Sequence, residues 1–179
     1  MGEQSEVTLS NRKVIRLRGY DYSQAGYYFI TICVDGKRNL LGKIVHDHLN
    51  DDMHSPVGAA TCRPLTELSW IGHIADVAIA KIPQIHPGVK IDKYVIMPNH
   101  IHMILIIEGT ARRQIAAPTV SVQTVIGGMK RAVTIQTSLP VWQKSFHDHV
   151  IRDNADYQSI WKYIDENPIK WITDRYFAE

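Results

Sequence analysis

Apolar residues recur with two different periods along this chain, and each period predicts one kind of element. Runs of β-branched and aromatic residues indicate strands, and these runs are 27–34, 40–45, 89–97 and 101–107. Apolar side chains that recur about every fourth residue indicate amphipathic helices. The predicted helices are 67–82, 121–136 and a last helix that Asp153 or Asn154 caps. Because strands and helices interleave, the pattern predicts an α+β fold.

Particular residues set the ends of these elements. Thr66 is expected to cap the first helix, and Pro83 and Pro87-Gly88 are expected to end it. Gly127 and Gly128 weaken the second helix by roughly 1 kcal/mol each. Segment 50–64 is rich in proline and glycine, which predicts a loop.

The strand predicted at 101–107 begins with two histidines. Pro98 and Asn99 favour a turn, and His100 and His102 follow it with one residue between them. Alternate strand residues share a face, so both imidazoles point the same way and can bind one divalent cation. The strand is apolar on both faces, which predicts a central place in the sheet. Spacing alone leaves the alternative of two histidines satisfied by hydrogen bonds, because two ligands do not make a metal site.

Two further His-x-His pairs occur, His46/His48 and His147/His149, each with an aspartate between the histidines. A central aspartate favours an exposed segment over a central strand. His46 and His48 are therefore interpreted as surface histidines.

Length and composition favour one globular domain. The chain has 179 residues, 45% of them hydrophobic, as in ordinary domains of this size. Cys33 and Cys62 lack metal or redox spacing, which favours a reducing compartment. The first ten residues are polar, and no apolar run approaches the ~20 residues of a membrane span. We therefore expect no membrane segment and a cytoplasmic location.

The charge is too mild to identify a nucleic-acid partner by itself. The net charge is +2 and the isoelectric point is about 8.5. Basic residues are grouped, however, and the groups jointly allow a surface that binds phosphates. These groups are Arg12, Lys13, Arg16 and Arg18, then Lys37-Arg38, Arg112-Arg113 and Lys130-Arg131.

Three segments, in order along the chain, resemble the REP-associated tyrosine transposases, which are relatives of small single-tyrosine insertion-sequence transposases. The segments are 19–33, 94–102 with its His-hydrophobe-His (HUH) motif, and 142–152 followed by 163–168. The resemblance covers 12–171, which we treat as one domain after a disordered tail at 1–11. It implies a ferredoxin-like antiparallel sheet with the HUH motif on a central strand and helices on one face.

The resemblance also implies that Tyr163 is a nucleophile. Its phenol would attack a DNA phosphate, form a 5′-phosphotyrosine link and free a 3′-hydroxyl. A phenol with its ordinary pKa near 10 is a poor nucleophile, and a nearby cation favours the phenolate. Tyr157 is the rival, but its place within the apolar stripe of the last helix predicts a core position.

The implied cofactor is Mg²⁺ or Mn²⁺, bound by His100 and His102. Asn167 is the candidate third ligand because it lies one helical turn after Tyr163, and similar enzymes place a metal-binding amide there. The alternative is that Asn167 only caps the helix end before Pro168.

In similar proteins the target is a palindromic DNA hairpin with a single-stranded 5′ guide. Lys130 and Arg131 lie in a helix that resembles the Phe-Lys-Ser helix of the family, although Gly and Met precede the lysine here. His149 and Arg152 match the family and are expected to contact DNA or to brace the helix that carries Tyr163. A monomer or a homodimer is expected.

The leading hypothesis is a metal-dependent endonuclease and transesterase that cleaves and rejoins single-stranded DNA at hairpins, located at the bacterial nucleoid. One alternative is a catalytically silent hairpin-binding protein derived from the same family. Another is a zinc hydrolase that uses a His-x-His pair. Barrel hydrolases with such a pair need well over 179 residues.

Overall fold

The computed structural model describes residues 17, 19–46, 64–109 and 120–177. The strands are β1 (Gly26–Cys33), β2 (Gly42–His46), β3 (Pro64–Leu68), β4 (Val89–Met97), β5 (His100–Ile107) and β6 (His147–Ile151). The helices are α1 (Trp70–Ala80), α2 (Ile82–Ile85), α3 (Val122–Thr137) and α4 (Asn154–Glu166). Short 3-10 turns span Asp35–Lys37 and Trp171–Thr173. In this part of the chain, no helix has both the length and the hydrophobicity of a membrane span.

Four strands form one antiparallel sheet in the order β4-β5-β1-β6. Counted along the chain, these four strands have the order 4-1-3-2. Helix α1 precedes the second of them and α3 precedes the fourth, which is the ferredoxin-like β-α-β-β-α-β arrangement. The predicted α+β ferredoxin-like fold is confirmed. Strand β5 lies between β4 and β1, so the HUH strand is central, as predicted.

The two faces of the sheet are covered by different helices. Helices α1 and α3 pack on the face that presents Ile101, Met103 and Leu105 of β5. Helix α4 packs on the other face, where Ile164 contacts Ile104. The predicted placement of helices on one face therefore holds for α1 and α3 and not for α4. Strand β5 is apolar on both faces, so each face must be covered.

A β-bulge in β4 helps to fix the position of α4. The pairing with β5 shifts between Ile91 and Lys93, so Asp92 is an extra residue. A bulge lets consecutive side chains turn toward the same face. Asp92 accepts a hydrogen bond of 2.6 Å from Tyr157 Oη, and Lys93 Nζ lies 2.6 Å from Asp165 Oδ1. Both contacts reach α4, which sets its register against the sheet.

Lys93 makes a second contact with the same helix. Its Nζ lies 3.3 Å from the ring centroid of Trp161, a cation–π contact. Tyr157, Trp161 and Asp165 are spaced four residues apart and form one row along α4. The sequence did not predict this row, because the apolar pattern gives no sign of the bulge in β4 that brings Asp92 and Lys93 into contact with it.

The first helix begins later than predicted. Residues 64–68 form β3, which pairs with β2 in a separate two-stranded sheet. Ser69 is the actual cap, and its Oγ accepts a hydrogen bond of 3.1 Å from Gly72 N. The predicted cap, Thr66, pairs instead with Ile44 of β2. Pro83 lies in the first turn of α2, and the helical region ends at Ile85, before Pro87-Gly88, the second predicted stop.

The other helix predictions are confirmed, and a second strand besides β3 was missed. Helix α3 closely matches the predicted 121–136, and Asp153 Oδ1 caps α4 by accepting from Asp156 N at 2.9 Å. Strand β6 was missed because its first three residues are all polar and it is only five residues long. It is an edge strand, consistent with the exposed segment expected around His147 and His149.

Several sequence predictions fall outside the described residues. They concern the tail at 1–11, the loop at 50–63, the side chains of His46 and His48, Cys62, and the basic residues at 12, 13, 16, 18, 112 and 113.

Gly72→Ala is expected to destabilise the protein by roughly 2 kcal/mol or more, as overpacking commonly does. A Cβ at this position would lie 2.0 Å from the carbonyl oxygen of Leu41. That oxygen also accepts a hydrogen bond of 2.9 Å from Ser69 N, so it cannot move freely. Urea unfolding measures the change.

The matched control is Gly127→Ala in α3. A Cβ there meets nothing within 4 Å, and alanine is the better helix former by about 1 kcal/mol. Gly127→Ala should therefore raise the free energy of unfolding. A Gly72→Ala protein as stable as its parent would contradict the close approach of α1 to Leu41.

Candidate metal and nucleophile site

His100 and His102 lie at the beginning of β5, beneath α4 and the segment that follows it. Both side chains have 0% exposure, and their ring centroids are 4.5 Å apart. Phe29 stacks on His102 with a centroid distance of 5.3 Å. Tyr176 packs against His100 at 4.6 Å. The two imidazoles therefore share a dry, aromatic-walled site.

The side chain of Asn99 sets the tautomer of His100. Its Nδ2 donates to the carbonyl oxygens of Lys37 at 3.1 Å and Tyr176 at 2.8 Å, so its Oδ1 must face His100. That Oδ1 lies 2.9 Å from Nδ1 of His100. An amide oxygen can only accept, so Nδ1 carries the hydrogen and Nε2 presents a bare lone pair. This is the form of histidine that binds a metal ion.

His102 connects the site to β1 and α4. Its Nδ1 lies 2.8 Å from Thr31 Oγ1, and its Nε2 lies 3.2 Å from the hydroxyl of Tyr163. The same hydroxyl lies 3.3 Å from Oδ2 of Asp174. The hydroxyl of Tyr163 therefore bridges His102 and Asp174. The side chain of Tyr163 remains 36% exposed, so this hydroxyl lies at the border between the buried site and solvent.

Burial keeps both imidazoles neutral. It lowers the pKa of His100 to about 4, against the opposing effects of the Asp174 charge and the Asn167 side chain. Burial also lowers the pKa of His102 well below its ordinary value, and the neighbouring His100 and Arg175 add to the shift. Both histidines are therefore in the ligating form at neutral pH.

The phenol of Tyr163 is protonated in this arrangement. Burial and the negative charge of Asp174 raise the pKa of Tyr163 to about 12, although Arg175 opposes the shift. An additional positive charge at the site would be needed to favour the phenolate.

Asn167, the predicted third ligand, lies beside the histidine pair. It is the residue after the last turn of α4, and its side chain is only 1% exposed. Its Nδ2 donates to Asp174 Oδ2 at 3.0 Å. The alternative of a simple helix cap explains its backbone bond to Ile164 but not the direction of its side chain. Its role as a ligand stays a prediction.

Asp174 was missed by the sequence analysis. It follows the 3-10 turn Trp171–Thr173, and no repeating pattern links it to β5. One oxygen of its carboxylate and one nitrogen of each of His100 and His102 all lie within 4.8 Å of one another. The sequence signal that could have pointed to Asp174 is the pair of aromatic residues on either side of it, Trp171 and Tyr176, which indicate a packed segment.

The residues present fit a divalent cation. Among the described residues, His100 Nε2 and Asn167 Oδ1 are buried without a hydrogen-bond partner. Both present lone pairs, and buried polar atoms are rarely left unpaired. Two neutral imidazoles and a carboxylate are ordinary ligands of Mn²⁺ or Zn²⁺.

Comparisons with known proteins address the fold. No protein-family model matches the sequence. An uncharacterized protein of Haemophilus influenzae is 29% identical over 189 residues, with 96% of each chain covered. The structure of a REP-associated tyrosine transposase bound to a REP hairpin aligns with a TM-score of 0.54 and 23% identity, over 87% of this chain and 73% of that one. The chain has the fold of that transposase.

A second solved structure, of a transposase candidate from Deinococcus radiodurans R1, covers 84% of this chain with 16% identity and a TM-score of 0.40. That score is too low to support a comparison. The sequence resemblance to REP-associated transposases is thus matched by the fold of one of them.

Tyr157, the rival nucleophile, lies away from the histidine pair. It precedes Tyr163 by six residues, which is about 9 Å along a helix. It is only partly buried, at the edge of the α4 face, so its predicted core position is not what the structure shows. Its hydroxyl is held by Asp92, and its ring meets that of Tyr27 edge to face at 5.8 Å.

The four predicted DNA-binding residues differ in their surroundings. Lys130 Nζ lies 2.5, 3.4 and 3.1 Å from the carbonyl oxygens of Gln143, Lys144 and Ser145. An ammonium group has three donors, so Lys130 is committed to this connector. Arg131 is exposed on α3, on the face of the sheet opposite the histidine pair.

The other two residues lie near the beginning of α4. His149 Nε2 lies 2.8 Å from Asp156 Oδ2, which agrees with the expectation that it braces this helix. Arg152 is exposed and lines a cleft of about 420 Å³ together with Tyr27 and Tyr157. Of the four residues, Arg152 is therefore chosen as the candidate DNA contact, because it is exposed and lies close to the beginning of α4.

Acid is expected to destabilise the metal-free protein through His100. Its pKa in the fold is about 4, against 6.5 ordinarily, so the unfolded chain binds more protons between these values. Stability is therefore fully present above pH 6.5 and falls as the pH falls toward 4. The slope approaches ~1.4 kcal/mol per pH unit for one such histidine.

Urea unfolding with EDTA at pH values from 7.5 to 4.5 measures this slope. His100→Gln removes the titrating group, so its stability should fall less steeply with acid than that of the parent. Equal slopes for the two proteins would show that His100 takes up its proton as readily in the fold as in the unfolded chain.

Proposed function

We propose that this chain is a metal-dependent endonuclease and transesterase that cleaves and rejoins single-stranded DNA at a palindromic hairpin through a 5′-phosphotyrosine intermediate. The observation that carries the proposal is the position of the Tyr163 hydroxyl, 3.2 Å from Nε2 of a buried histidine pair. The fold shared with a REP-associated tyrosine transposase, itself bound to a REP hairpin, supports the choice of substrate. A DNA substrate in turn supports the expected location at the bacterial nucleoid.

Each group in the site has a distinct part in this chemistry. His100 and His102 would hold the cation, which when bound would supply Lewis-acid polarisation of a phosphate oxygen and favour the phenolate. Tyr163 Oη forms a bond to phosphorus, and the 3′-oxygen leaves. The phosphotyrosine link conserves the energy of the broken bond, so a 3′-hydroxyl can attack it and restore Tyr163 without ATP.

A second candidate, the catalytically silent hairpin-binding protein, is favoured by one observation. Neither imidazole has any exposed surface, because Trp171 and Tyr176 pack over His100. Cleavage of a hairpin oligonucleotide in the presence of Mn²⁺ separates the two candidates, since a silent protein binds the hairpin and leaves it intact.

Tyr163→Phe is expected to abolish both cleavage and the covalent protein–DNA adduct. The change removes one oxygen and keeps the ring, which packs against Phe29 and His102, so DNA binding should survive. Loss of a nucleophile commonly costs roughly a thousandfold or more in rate. The measurement is a denaturing gel of protein with labelled hairpin oligonucleotide and Mn²⁺, on which the adduct appears as a shifted band.

Tyr157→Phe is the matched control on the same helix. It loses the hydrogen bond to Asp92, which is worth about 1 kcal/mol of stability, and should keep the adduct. An adduct that persists in Tyr163→Phe and disappears in Tyr157→Phe would overturn the assignment of the nucleophile.

Binding to the hairpin is expected to depend on salt, with Arg152 as one contributor. Each phosphate contact releases counterions, so log affinity falls linearly with log salt concentration. Arg152→Ala should reduce that slope by about one. Fluorescence anisotropy of a labelled hairpin at 50–300 mM salt measures the slope.

Lys130→Ala gives the contrast. Its ammonium group is held by three backbone carbonyls, so this change should lower the melting temperature and leave the salt slope unchanged. A normal melting temperature with a reduced slope would instead place Lys130 among the phosphate contacts.

A further inference from the structure

We infer that Asp174 is a ligand of the divalent cation, so that the C-terminal segment 171–177 supplies one side of the metal site. This inference rests on the proposed metal-dependent function. It adds a carboxylate to the two histidines and to Asn167, and it makes metal binding depend on a segment that follows the helix of the nucleophile.

The distances permit this ligand set. The nearest ligand atoms of His100, His102 and Asp174 all lie within 4.8 Å of one another. Two atoms that bind one ion at about 2.2 Å each are at most ~4.4 Å apart. Three such atoms spaced evenly around one ion are ~3.8 Å apart, so a contraction of about 1 Å would bring the three groups around one ion.

The carboxylate is already oriented toward the histidines. Asp174 Oδ1 accepts a hydrogen bond of 2.7 Å from Tyr176 N, and Oδ2 accepts one of 3.0 Å from Asn167 Nδ2. The segment itself is held against the HUH strand, because Asn99 Nδ2 donates to the carbonyl oxygen of Tyr176 at 2.8 Å. Metal-binding carboxylates commonly have such supporting hydrogen bonds.

The positive charge of the ion favours a ligand set that includes the Asp174 carboxylate over one made only of neutral groups. His100 and His102 are fully buried and neutral, and Asn167 is an amide. A dication among neutral ligands in a buried site is costly unless an anion lies beside it. Asp174 is the carboxylate that joins the histidine pair among the described residues, and it compensates half of the ionic charge.

Binding of the ion is therefore coupled to the order of segment 171–177. A bond from Asp174 to the ion adds to the contacts that Tyr176 already makes with Asn99 and His100.

The test is a measurement of Mn²⁺ affinity, with free Mn²⁺ counted by its EPR signal. Asp174→Asn keeps the shape of the side chain and removes the charge, and it is expected to weaken binding at least tenfold. The matched control is Asp76→Asn on α1, across the sheet. Asp76 also accepts a tyrosine hydroxyl, that of Tyr94 at 2.7 Å, and its change should leave the affinity within twofold.

Unchanged affinity in Asp174→Asn, with binding lost in His102→Ala, would overturn the inference and leave the proposed metal site standing. Unchanged affinity in both variants would overturn the metal site itself. A measurement on the parent protein needs no variant. Hydrogen exchange at the Tyr176 amide, which donates to Asp174, should slow at least tenfold when Mn²⁺ is added, and equal exchange with and without the ion would contradict the coupling.

Discussion

The arrangement of the site depends on the hydrogen bonds that the side chain of Asn99 makes. Its amide nitrogen is held by carbonyl oxygens from two distant parts of the chain, Lys37 and Tyr176, and its oxygen then has one direction left, toward His100. The backbone of the same turn accepts hydrogen bonds from Val34 and Leu41. One turn thus joins the end of β1, the HUH strand and the C-terminal segment, and fixes the protonation of His100.

The two faces of the sheet have different roles: one carries most of the hydrophobic core, and the other carries the candidate site. The face under α1 and α3 is filled with aliphatic side chains and carries most of the core. The face under α4 has a much smaller apolar cluster and carries the polar groups of the site. A site of neutral imidazoles and a protonated phenol can be buried there without unpaired charge, apart from the carboxylate of Asp174, whose oxygens are hydrogen-bonded.

The fold was largely predictable because its central elements are strongly periodic. The apolar run of β5 required cover on both faces, and the spacing of Tyr163 and Asn167 followed from the helix that joins them. Asp174 was not predictable, since the side chains of Trp171 and Tyr176 place it by packing across the structure. A local signal also misled: Thr66 resembles a helix cap but is paired in β3.

The bulge at Asp92 makes the length of β4 a constraint on evolution. Deletion of Asp92 would restore regular pairing with β5, and it would remove the carboxylate that holds Tyr157 of α4. Insertions and deletions are therefore expected to accumulate in the loops of related chains, while the number of residues between Val89 and His100 stays constant.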